Sequence, residues 1–221
     1  MTKRKTTYLD YNATAPLHPE VREAMLGVMG EPYNPSSVHA KGREAKQLVH
    51  EAREHVAKAV GAEGAEIIFT GSGTEANHLA LWGLRDASAL AVSAVEHVSV
   101  LKPASMRQMV VIPVDANGLV DLDALKRLLE RHDGKVLVSV QLANNETGVI
   151  QPVSEIAALV YQHGGYMHCD ASQGVGKIPV DFTALNVDMM TISAHKFGGP
   201  QGATALVIKS GLKLEAIQLG G

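Results

Sequence analysis

Met189-Met190-Thr191-Ile192-Ser193-Ala194-His195-Lys196 is a short apolar run that ends abruptly in a polar turn. A run of this length, bounded this way, reads as a buried strand, and in open α/β sheets ligands bind at the carboxyl ends of such strands. Lys196 would emerge there, although a His-Lys pair alone is more often an ordinary solvated loop. The same pattern recurs in Ile67-Ile68-Phe69-Thr70, Leu90 to Val95, Met109 to Val114, Val136 to Leu142, Tyr166 to Asp170 and Ala203 to Ile208. Helical spacing is clearest from Gly42 to Val60, where Ala45, Leu48, Val49, Ala52, Val56 and Val60 recur at three- and four-residue steps. Pro19 to Met29, Thr74 to Leu84, Leu122 to Arg131 and Val153 to His163 read as further helices. Asp121 suits an N-cap, because its short carboxylate accepts from the unpaired first-turn amides. Strands alternating with helices predict an α/β fold: a mostly parallel seven-stranded sheet with helices on both faces.

A chain of 221 residues, 46% hydrophobic and 19% charged, buries one good core and has no disordered signature. One main domain is expected. The net charge of −3, without a basic stripe, argues against nucleic acid as a partner. Met1-Thr2-Lys3-Arg4-Lys5 is basic, but Thr6-Thr7-Tyr8-Leu9-Asp10 follows where a secretion signal needs an apolar stretch, and no run reaches membrane-spanning length. The single cysteine, Cys169, cannot form an internal disulfide, and with eight methionines it suits a reducing, cytoplasmic setting.

The strand ends carry the chemistry. Gly71-Ser72-Gly73-Thr74-Glu75-Ala76-Asn77 follows a strand and opens a helix, where first-turn amides and the helix dipole favour an anion such as a phosphate. The same residues also spell a Ser72/Glu75 capping box. Glu96-His97 sits after another strand, so the imidazole can lie over a flat ring or exchange protons, or be structural. Asn144-Asn145-Glu146-Thr147-Gly148 offers amide donors, and is also what a turn requires. His168-Cys169-Asp170-Ala171-Ser172-Gln173 places an acid where it is costly to bury unpaired. Side chains alternate along a strand, so if Asp170 faces a ligand, Cys169 faces away as a small core residue. Ser193 and His195 supply donors beside Lys196, and Gly198-Gly199-Pro200-Gln201-Gly202 turns the chain. A lysine amine that forms a Schiff base, with a carboxylate that keeps a pyridine nitrogen protonated, is the pair required by pyridoxal 5'-phosphate (PLP).

Taken together with Tyr8-Leu9-Asp10-Tyr11-Asn12-Ala13-Thr14-Ala15-Pro16 and Asn34-Pro35-Ser36-Ser37 followed by His39 and Gly42, these motifs resemble the cysteine desulfurase family. That family lies within the class V aminotransferase group of fold-type I PLP enzymes. The resemblance runs almost from end to end. It implies residues 1–15 as a segment belonging with a small domain and 16–221 as the PLP-binding large domain of a homodimer. Lys196 would hold PLP, Asp170 would pair with the pyridine nitrogen, and His97 would stack on the ring. Gln173 and Asn145 would touch the 3' oxygen side and the substrate, Gly73, Thr74, Ser193 and His195 would hold the phosphate, and Ala194 would be a further cofactor-binding residue. In such enzymes L-cysteine is converted to alanine, with Lys196 as base, and sulfur passes as a persulfide to a sulfur-acceptor or iron–sulfur scaffold protein.

The resemblance stops at Leu219-Gly220-Gly221, where family members continue into the sulfur-accepting cysteine loop and most of the small domain. Cys169 lies at a different motif position. The expected activity is therefore that of a cysteine desulfurase large domain without its own sulfur acceptor. A selenocysteine lyase, another aminotransferase, and a non-catalytic PLP-binding or interaction protein are the alternatives.

Overall fold

The computed structural model describes residues 7–220; Met1 to Lys5 of the basic start, Thr6 and Gly221 lie outside the described residues. Seven strands form one sheet: β1 (Glu66–Thr70), β2 (Ala89–Ser93), β3 (Met109–Ile112), β4 (Val136–Gln141), β5 (Tyr166–Asp170), β6 (Met189–Ser193) and β7 (Thr204–Ile208). Their order is β1-β7-β6-β5-β4-β2-β3. Only β7 runs against its neighbours; the four pairings from β6 through β3 are all parallel. The mostly parallel sheet and its number of strands are as the sequence predicts.

Among the described residues seven helices accompany the sheet: α1 (Pro19–Val28), α2 (Ala40–Ala59), α3 (Gly73–Gly83), α4 (Val98–Ser105), α5 (Leu122–Glu130), α6 (Val153–Gln162) and α7 (Phe182–Leu185). Asp121 caps α5 by accepting from Ala124 N at 2.8 Å. The sequence reading omits α4 and the single turn α7. In α4, Pro103 lies within the helix, where the ring removes a backbone donor. Two strands end two residues short of their apolar runs. The stretch to Val95 ends at Ser93, whose carbonyl accepts from Glu96 N in a turn, and the stretch to Val114 ends where Pro113 lacks an amide to extend the ladder.

The side-chain alternation of the strands divides the interior in two. Ala91, Val138, Val140, Met167, Cys169, Met190, Ile192, Ala205 and Val207 face a core closed by α2, α5 and α6. Leu90, Val92, Leu137, Met189, Leu206 and Ile208 face α3 and α4. On this second face the strands change character toward their carboxyl ends. Ser139 and Gln141, His168 and Asp170, and Thr191 and Ser193 keep the same parity, are buried, and are polar. Burying them is tolerable only with partners. His168 has two: its Nδ1 lies 2.8 Å from Ser139 Oγ and its Nε2 3.1 Å from Thr191 Oγ1. Burial pushes its imidazole down to about 4, so the ring is neutral at pH 7.

Candidate functional site

At these carboxyl ends the two helix N-termini α3 and α4 and the loops after β4, β5 and β6 enclose a cleft of about 820 Å³. Its lining includes Gly73, Thr74, His97, Asn145, Asp170, Gln173, Ser193, His195 and Lys196, nine of the ten residues singled out in the sequence. Ala194 does not line it. Its backbone instead anchors the turn, the amide donating to Ala203 O at 3.0 Å and the carbonyl accepting from Gly199 N at 2.9 Å.

Asp170 ends β5 on the α3–α4 face, one residue from Cys169 on the opposite face. It is 7% exposed. One carboxylate oxygen accepts from Asn77 Nδ2 at 2.8 Å and the other from Ser172 N at 3.0 Å. Lys196 ends the 3₁₀ turn Ala194–Lys196 that follows β6, and its ammonium donates to the carbonyls of Asn12 at 2.8 Å and Ala13 at 3.0 Å. Partial burial lowers the lysine from its ordinary value, and Asp170 and Asp10 oppose that shift. A lysine made easier to deprotonate is a better nucleophile and base.

The segment Asn12–Ala13 crosses the cleft like a strap. Besides Lys196 it receives Gln173 Nε2 on Asn12 O at 2.9 Å and Lys177 Nζ on Asn12 Oδ1 at 2.8 Å, while Asn12 Nδ2 donates to Asn145 O at 2.9 Å. Burial, and next the neighbouring Lys196, push His195 down; its Nδ1 lies 3.3 Å from Thr14 Oγ1.

The opposite end suits an anion. Ser72 caps α3, its Oγ accepting from Glu75 N at 3.1 Å, and Glu75 reaches back to the amide of Gly71 at 2.8 Å rather than to Ser72 as a standard capping box would. Among the described residues the amides of Gly73 and Thr74 have no acceptor. A Cβ at Gly73 would lie 2.8 Å from Ser193 Oγ, so glycine keeps the helix start open beside that hydroxyl. Ser193 Oγ in turn lies 3.2 Å from Ser172 Oγ. Free amides, hydroxyls and a helix N-terminus suit a phosphate, while an amine and a buried carboxylate suit the two reactive positions of a pyridoxal ring. The residues present therefore fit PLP.

Several residues in or beneath the cleft have no role assigned in the sequence reading. Asn77 lies four residues beyond Gly73 and so shares its helical face, a spacing that could have revealed it. Ser99 has no such local signal. Glu96 is buried under the cleft, one oxygen accepting from Gln141 N at 2.7 Å and the other without a partner. Burial pushes its carboxyl up to about 8, and the nearby charge of Asp170 adds to the shift. Among the described residues no helix is long and apolar enough to cross a membrane.

A match to Aminotransferase class-V covers residues 7–221. A protein from Dictyoglomus turgidum named cysteine desulfurase IscS is 43% identical over 99% of this chain, which spans 58% of that relative. An IscS-like cysteine desulfurase of Mycobacterium tuberculosis is 39% identical over 97% of the chain and is likewise covered to 58%. Among solved structures, the NifS-like protein from Rickettsia africae superposes with a TM-score of 0.92 at 40% identity, covering 97% of this chain and 61% of that one. SspA, solved in complex with cysteine, superposes at 0.87 with 30% identity, covering 98% of this chain and 65% of its own. The chain thus spans somewhat over half the length of the curated relatives it matches.

Proposed function

This chain belongs to the aminotransferase class-V family, whose cofactor is PLP, and from that premise we propose that it forms the cofactor-binding part of a cysteine desulfurase. The observation that carries the proposal is that the Lys196 amine and the Asp170 carboxylate line one cleft. When bound, PLP supplies an electron sink for charge developing at a substrate α-carbon. Lys196 anchors it and serves as the base, its ammonium already disfavoured by burial. Asp170, held by two donors, keeps the pyridine nitrogen protonated. Gly73, Thr74, Ser193 and His195 form the phosphate end, Ala194 shapes the turn that presents His195 and Lys196, and His97, Asn145 and Gln173 flank ring and substrate. In this reading residues 1–15 go with a small domain, residues 16–221 form the PLP-binding domain, two copies pair as a homodimer, and the setting is the cytoplasm. The substrate is L-cysteine, by analogy with the relatives and with SspA, solved with cysteine. Sulfur then passes to an acceptor or iron–sulfur scaffold protein.

A second reading draws on Cys169. It is the chain's single cysteine, fully buried on the apolar face, with its thiol pushed well up by burial. Cys169 at that position is no sulfur acceptor, and the second reading is class-V chemistry that needs no enzyme thiol, such as a selenocysteine lyase or an aminotransferase. Alanine and sulfide released from L-cysteine, measured with and without an added thiol, separate the readings. Thiol-dependent alanine release supports the desulfurase. Transfer of an amino group to a 2-oxo acid without alanine release from cysteine replaces it with the aminotransferase.

A further inference from the structure

Asn77 has one amide nitrogen, two acceptors for it and an oxygen with none. Its Nδ2 donates to Asp170 Oδ2 at 2.8 Å and to Ser99 Oγ at 2.9 Å, while Oδ1 is buried without a partner. The side chain is fully buried, so an unpaired acceptor there is costly and calls for a reason. The reason lies in the carboxylate. An ionised Asp170 can only accept, so turning the amide to pair Oδ1 with Ser99 would not relieve the acid, and turning it toward Asp170 would set two acceptors face to face.

The direction then passes along the chain of contacts. Ser99 Oγ accepts from Asn77, which leaves its single proton for its other neighbour, His97 Nδ1, at 2.7 Å. Ser99 N also donates to that same nitrogen at 3.1 Å, because His97 is the N-cap of α4. A ring nitrogen that receives two donors holds its lone pair, so the proton of a neutral imidazole sits on Nε2. Asn77 is on α3, Ser99 and His97 are at the start of α4, and Asp170 ends β5, so three elements meet in one chain in which Asn77 donates both to the acid and to Ser99, and Ser99 donates onward to His97.

We propose that Asn77 and Ser99 are positioning residues that form a one-way relay, through which the Asp170 carboxylate holds His97 as the Nε2–H tautomer. The relay deepens the PLP reading and rests on it for its purpose: a neutral ring avoids like-charge repulsion beside a protonated pyridine. Its test needs no cofactor, so a failure of the relay and a failure of the PLP assignment are distinguishable.

The experiment is ¹⁵N NMR of histidine-labelled protein without PLP at neutral pH. The wild type should show His97 Nδ1 as an unprotonated and Nε2 as a protonated nitrogen. Ser99→Ala should shift the Nδ1 signal toward the averaged position of mixed tautomers, with Ser99→Thr restoring it. Asn77→Ala touches neither ring nitrogen, yet it should shift Nδ1 in the same direction by less, and Asp170→Asn, which preserves shape, should do likewise. Adding Asn77→Ala to Ser99→Ala should shift it no further. The proposal is overturned if Asn77→Ala and Asp170→Asn both leave Nδ1 where it was, if the Asn77 and Ser99 shifts simply add, or if the wild type carries its proton on Nδ1.

Discussion

Cys169 and Asp170 are neighbours in one strand, yet they live in different environments. The cysteine joins Met167, Met190, Ile192 and Val207 on the sheet face that α2, α5 and α6 seal. The acid shares its face with His168, Thr191 and Ser193, which become polar as the strands approach their carboxyl ends. The first face contributes stability through buried apolar area. The second gives up part of that gain to hold polar groups in fixed positions, which each need a partner. Folding and function are thus separated by side-chain parity rather than by domain, and substitutions on the two faces should fail differently.

The largest effect should come from the sealed face. Met190→Ala removes a fully buried side chain and should cost about 2–5 kcal/mol of unfolding free energy, read by denaturant titration, with the PLP affinity of the folded fraction unchanged. On the polar face, Glu96 carries a pH signature. Its carboxyl is raised in the folded state to about 8, so the folded protein binds the extra proton and Glu96 should cost a few kcal/mol of stability as pH rises from about 4.5 to 8. Glu96→Gln should flatten that decline. His168 works the other way: held neutral with a value near 4, it should lose stability as pH falls from 6.5 toward 4, so Glu96→Gln must leave the acid limb intact. A variant with the same alkaline slope as wild type breaks the assignment of that slope to Glu96. Asp170→Asn should weaken PLP binding by roughly 10- to 100-fold, about 1.4–2.7 kcal/mol, with little change in unfolding midpoint. The smallest effect is expected for Cys169→Ala, roughly 1 kcal/mol of stability and no change in PLP affinity, and in the folded wild type this thiol should resist alkylation.

Much of this was legible in the chain. Strands buried on both faces appear as apolar runs, so all seven could be read, with ends displaced where Ser93 turns the chain or Pro113 interrupts the ladder. Asp170 and Lys196 stood out because an acid or an amine at the end of an apolar run is chemically expensive unless used. What the sequence hid are contacts made by distance in the chain. The carbonyl of Asn12 meets Lys196 across 184 positions, and Asn77 meets Asp170 across 93. Helix α4, which delivers Ser99, was hidden by its own proline. Alternation along β5 did foretell that Cys169 would turn away from the cleft once Asp170 faced it.

The convergence of Lys196 and Asp170 on one cofactor is tested most directly by loading the protein with PLP, reducing it with borohydride and mapping the modified peptide. Lys177 is the demanding control, because it shares the Asn12 side of the cleft and burial lowers it too, with Lys196 adding to the shift. The account predicts a single pyridoxyl group on Lys196, lost in Lys196→Ala and reduced at limiting PLP in Asp170→Asn. Label on Lys177, or undiminished labelling of Lys196→Ala, contradicts it.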